Sequence, residues 1–159
     1  MTLITHRNQS GFSFFEIIVV MVLIGVFTAV VIVRHNYQDP TLIAQAQVLK
    51  AHIRYAQMRA LSSDSPWGIK YLVDGDQRSY WLYKQPATET KIVLPGETKD
   101  LVRLDQTGIF IAQGAFQIEF DNWGRPSSSL SGDGTLILDL TKSDESEQLI
   151  ITKNTGFIP

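Results

Sequence analysis

Residues 40–73 read PTLIAQAQVLKAHIRYAQMRALSSDSPWGIKYLV, and two periodicities meet inside them. Leu42, Ala46, Leu49, Ile53, Ala56 and Ala60 step by 4, 3, 4, 3 and 4. That spacing lays one apolar stripe along a helix, with Gln45, Lys50, Arg54 and Gln57 off it. Ser62, Ser63 and Asp64 ahead of Pro66 end the helix, because the residue before a proline is pushed out of the helical region. At Trp67 the pattern changes to WGIKYLV, a strand. A helix with a single apolar stripe needs an apolar surface to lie on. The expectation is therefore an α+β domain, with the 41–62 helix packed on a mainly antiparallel β-sheet.

Downstream, strands alternate with turns. WGIKYLV and SYWLYK flank DGDQR, a hairpin pattern. KIVLPG and LVRLDQTGIFI read as shorter strands. FQIEF alternates, with Phe116, Ile118 and Phe120 on one face and Gln117 and Glu119 on the other. TLILDL and QLIITKN flank TKSDESE, which reads as a solvated acidic loop. No helical period and no repeat follows Ser63.

Upstream, Asp39-Pro40 allows two structures. Asp39 can cap a helix that starts afresh at Pro40, or Pro40 can kink one helix continuous with the segment before it. That earlier segment is not globular in character. Ile17–Val33 is a run of 17 residues without a charge. With Phe12, Phe14 and Phe15 the apolar region reaches 22 residues, a helix of about 33 Å, close to the thickness of a bilayer's hydrocarbon core. One acid, Glu16, stands at its start. A secretory signal peptide would be shorter and would end in a small-x-small cleavage site, which TAVVIVRHNYQ does not offer. An ordinary membrane anchor accounts for the length and leaves Glu16 without a partner.

GFSFFE, residues 11–16, with the apolar run behind it and a short polar leader ahead, resembles the processing motif of type IV prepilins and type II secretion pseudopilins. The resemblance implies that a prepilin peptidase cuts between Gly11 and Phe12 and methylates the new amine of Phe12. It also implies that Glu16 guides assembly with other pilin or pseudopilin subunits on an inner-membrane platform. Glycine before the cut suits this chemistry, since a residue without Cβ lets the chain lie extended in a protease cleft. Cleavage there frees an amine and keeps the anchor. LKAHIRYAQMRALSSDSPWGIKY, FDNWGRPSS and the terminal ITKNTGFIP are similar to the minor pseudopilin H family and to minor subunits of mannose-sensitive haemagglutinin-type pili. The implied organisation is a leader over 1–11, a transmembrane assembly helix over 12–33, an amphipathic helix over 34–63 and a periplasmic β-rich domain over 64–159. The implied place is the bacterial inner membrane, then a filament.

Other chemistry finds little support. The chain has no cysteine, which rules out thiolates, disulfides and cysteine-ligated zinc. His6, His35 and His52 are scattered, and His52 reads as part of a packed or partly exposed helix face. Asp74 and Asp76 in VDGDQ lack the further ligands of a calcium loop. Asp133, with Asp139, Asp144, Glu145 and Glu147, raises the same question, and the solvated loop is preferred. No cofactor, no metal and no enzymatic constellation is expected. A net charge of −2, and a C-terminal segment with Lys142 and Lys153 beside three acids, do not favour nucleic acid as a partner. Two rival functions are a DNA-binding minor pilin and a membrane-anchored binding domain that never assembles.

Overall fold

A computed structural model of the chain describes residues 13–34, 39–128 and 134–159, with side chains described over 13–29 in the first helix. The chain divides into two units, residues 1–37 and 38–159. Gly11, Phe12, His6, His35 and Asp133 lie outside the described residues.

In the first unit, helix α1 runs Phe14–Arg34. Its backbone starts on Ser13, whose carbonyl accepts from the N–H groups of Glu16 (3.0 Å) and Ile17 (3.3 Å). Thr28 donates its hydroxyl to the Ile24 carbonyl at 2.7 Å, satisfying its polar group within its own helix. Among the described residues no helix is long and apolar enough to cross a membrane. The spanning segment expected over 12–33 is only partly covered by described side chains.

The second unit opens with helix α2, Pro40–Leu61. Asp39 caps it: its backbone is non-helical (φ −58°, ψ 114°) and Oδ1 accepts from the Thr41 N–H at 2.8 Å. Of the two structures open at Asp39-Pro40, the fresh start is the one adopted, with proline at the first helical position. All six stripe residues from Leu42 to Ala60 are buried, together with His52.

The sheet elements are β1 (Trp67–Asp74), β2 (Gln77–Lys84), β3 (Ala87–Ile92), β4 (Val102–Arg103), β5 (Phe110–Ile111), β6 (Phe116–Phe120), β7 (Pro126–Ser128), β8 (Thr135–Lys142) and β9 (Glu145–Thr152). One sheet has the order β3-β2-β1-β6-β7, with β4 also on β2, and the other has β5-β8-β9. Every pairing is antiparallel. Helix α2 lies against β1 and β6 of the first sheet and β8 and β9 of the second, so its stripe joins the two. The core contains Leu49, Ile53 and Ala56 from the helix, Ile69, Tyr80, Leu82 and Ile118 from one sheet, and Leu138, Leu140 and Ile151 from the other, all fully buried. The α+β reading is correct.

Three segments differ from expectation in detail. LVRLDQTGIFI is not one strand. Thr107 Oγ1 donates to the Leu104 carbonyl at 2.8 Å, a 3-10 turn forms over Asp105–Thr107, and Gly108 takes a left-handed φ of 71°. That conformation breaks the segment into β4 and β5. The KIVLPG strand is placed earlier, at 87–92, because Pro95 has no N–H for a ladder and Leu94 instead turns into the core. TKSDESE is not a loop. β8 and β9 pair through Lys142↔Glu145, leaving a two-residue turn, Ser143-Asp144, with Ser143 at φ 53°.

On the face of the first sheet away from α2, Gly68 stands opposite Tyr83. A Cβ at Gly68 would sit 2.4 Å from both the Tyr83 hydroxyl and the Ile118 carbonyl. Only glycine lets the Tyr83 ring lie flat across the strand. Tyr83 then donates to Glu119 Oε2 at 3.1 Å, and burial raises its pKa.

Candidate assembly site

Glu16 is in the first turn of α1 and is exposed. A carboxylate there is favourable to the helix, because the free N–H groups of the first turn carry partial positive charge. Val20 and Ile24 continue the same face at one-turn intervals, with Ile17 and Met21 beside it. Every described side chain of α1 is exposed, from Phe14 (78 %) to Phe27 (68 %). Among the described residues Glu16 has no ion-pair partner. The Phe12 amine, expected to face it, lies outside the described residues, as does Gly11. Glu16 alone of the three expected residues can therefore be placed. It is a single carboxyl group among apolar side chains, able to accept hydrogen bonds or attract a cation.

The remaining acids and histidine fall into structural roles. His52 is buried at 3 % exposure, and both ring nitrogens are used. Nε2 is 3.1 Å from the Pro95 carbonyl, which can only accept, so Nε2 carries the proton. Nδ1 therefore accepts from the Tyr80 hydroxyl at 2.9 Å. Burial holds the His52 pKa below its usual value and raises that of Tyr80. The pair locks the segment after β3 onto α2 and β2. Nothing in the sequence near His52 announces this, since Tyr80 is 28 residues away.

Asp39 does more than cap. Its Oδ2 meets Lys142 Nζ at 2.6 Å, and its backbone N–H donates to Glu145 Oε2 at 2.5 Å. The Lys142 ammonium and the Thr41 N–H hold the Asp39 carboxyl down at about 2. Asp139 makes a two-way bond with Gln113: Gln113 Nε2 donates to Oδ2 at 2.6 Å, and the Asp139 N–H donates to Gln113 Oε1 at 3.0 Å. Asp76 and Asp144 are exposed on turns, and Asp74 is exposed at the end of β1. Among the described residues no group of three or more His, Asp or Glu could hold a metal ion.

Comparison with known proteins adds one finding. No curated protein and no solved structure matches the chain. Residues 6–32 match the model of the prokaryotic N-terminal methylation motif, so the chain carries a prepilin-type, pilin-like N-terminus with Glu16 inside it.

Proposed function

We propose that the chain is a structural subunit of the minor pilin or pseudopilin kind. A prepilin peptidase cleaves it between Gly11 and Phe12 and methylates Phe12. The 12–33 segment holds it in the inner membrane with its β domain in the periplasm, and it enters or primes a type II secretion pseudopilus or a type IV pilus. The observation that carries the proposal is the methylation motif at 6–32, placed on a helix whose described side chains are all exposed. An apolar surface of that extent requires lipid or neighbouring helices. The uncharged run Ile17–Val33 supports the lipid-bound stage, and Glu16 supports the assembled one. In a packed bundle a carboxylate requires a cation, and the new amine of Phe12 on a neighbouring subunit provides it. Two unit charges about 4 Å apart attract by about 4 kcal/mol at an effective dielectric of 20.

Intact-mass analysis of the membrane-extracted protein tests the reading. The expected species lacks residues 1–11 and carries one methyl group on Phe12. A mature protein that retains the leader and is unmethylated overturns it.

A further inference from the structure

The two ends of α2 carry opposite chemistry. At its beginning two hairpin turns come together. Lys142, one residue before the β8–β9 turn, pairs with Asp39 at 2.6 Å. Its neighbour Thr141 stands opposite Phe110, and the Arg78 guanidinium lies 5.4 Å above that ring. Arg78 in turn stands opposite Val73, next to the β1–β2 turn. Arg103, opposite Ser79 beside it, pairs with Asp105 at 2.7 Å, so two of the three cations of this pole are held by acids. What remains outward is acidic: Asp74, Asp76 and Asp144, with Leu72 and Val73 exposed beside them.

The other end of α2 is apolar and cationic. Leu61 (55 % exposed) ends the helix, Trp123 (76 %) projects from the β6–β7 turn and Phe157 (63 %) from the C-terminal turn. They gather because Gln57 Nε2 donates to the Gly124 carbonyl at 2.9 Å, and Gly156 packs against that same carbonyl. Arg59 lies 4.6 Å over the Trp67 ring with Lys84 at 5.9 Å, and Arg125 is exposed. Of the three acids here, Asp121 is occupied by the N–H groups of Trp123 (2.9 Å) and Arg125 (2.8 Å), Glu119 by Tyr83 and Gln85, and Asp64 is exposed. The poles are separated by the 22 residues of α2, about 33 Å.

We infer that these poles are the two halves of one contact, in which the Asp74–Asp76 and Asp144 turns of one copy dock on the Leu61–Trp123–Phe157 surface of a second copy, rimmed by Arg59 and Arg125. The inference rests on the assembly reading above and names a partner surface for it. A second copy is the occupant because the complement of each pole is present on the same chain. Acid meets cation, and Leu72 and Val73 meet an apolar surface. Like poles brought together would oppose acid to acid, so a contact centred on one pole alone is disfavoured. A contact between different patches whose rotation does not close adds copies in a row.

The chain has no cysteine, so cross-links can be placed at will. Full-length Gln77→Cys and Asn122→Cys chains, each with its own tag, are produced together in membranes and treated with a short bis-maleimide. The expected product is a dimer carrying both tags, at least about tenfold more abundant than dimers of either variant alone. Asp74→Arg with Asp76→Arg on the Gln77→Cys chain should abolish it. Arg59→Glu with Arg125→Glu on the Asn122→Cys chain should restore it. Equal cross-linking within one variant, capture of a different protein in place of a second copy, or indifference to the charge reversals overturns the inference. Leu23→Cys, on α1, separates the two proposals. If it cross-links copies of correctly processed protein while the poles do not, assembly stands and the polar contact falls. An uncleaved leader in the same samples sinks both.

Discussion

Helices α1 and α2 are of nearly equal length, 21 and 22 residues, and they treat apolar side chains in opposite ways. α1 is apolar all round and exposes every described side chain. α2 is far more polar, yet it buries its apolar stripe from Leu42 to Ala60. Leu23 and Leu49 are the same residue in the same kind of element, one half exposed and the other at 0 %. Apolar content alone does not bring a helix into a core. A stripe of the right width does, because a sheet can cover only one side of a cylinder. A helix without a polar side must find a solvent or partner outside its own domain.

The largest way to break this contrast is at Glu16. Replacing it with Val leaves residues 14–33 of α1 without a charge. Insertion into membranes should persist, and incorporation into sheared filament fractions should fall by at least about tenfold, since loss of even 1.4 kcal/mol does that. Normal incorporation would remove the charge-pairing account. Next, Leu49→Ala should destabilise the β domain by about 2–5 kcal/mol, through lost burial and the cavity left behind. Leu23→Ala should leave its melting temperature unchanged. Circular dichroism of the detergent-extracted chain compares the two, and equal losses would dissolve the distinction. Gly68→Ala is smaller, about 1–3 kcal/mol, because the added methyl must displace both Tyr83 and the Ile118 carbonyl. Adding Tyr83→Ala should recover part of that loss.

The smallest effect is one of pH. His52 is buried neutral, with a folded pKa below its ordinary 6.5. Between those two values the unfolded chain binds more protons than the folded one, so stability rises with pH there. It is fully present above about 6.5 and declines as acidity increases through the folded pKa. The melting temperature of the wild type should drop from pH 7 to pH 5 more than that of His52→Gln, and parallel profiles would show that other groups control the slope.

How far the fold was legible follows from where its information lies. The α2 stripe could be read because its period is local and each of its six apolar positions does one thing. FQIEF likewise appears as written, with Phe116, Ile118 and Phe120 buried. His52 could not be placed, since its partners, Tyr80 and Pro95, are brought to it only by the fold. The 101–111 segment was misjudged because Gly108 looks permissive in a strand until its left-handed φ is seen. In TKSDESE the density of charge hid a period of two, and Glu145 and Glu147 stand in a strand that buries Leu149 and Ile151. Glu16 is a different case. No packing argument reaches it within one chain, and its place was read from the motif GFSFFE.

The bond from the Asp39 N–H to Glu145 spans 106 residues. Chains are made from one end to the other. The first turn of α2 therefore emerges early and meets Lys142 and Glu145 only when nearly all of the chain has followed. Until then the helix start has its own Asp39 cap and nothing else. The beginning of α2 is thus among the last places to be fixed, and a chain halted before residue 142 would carry a stripe ready to pack and a beginning still untied.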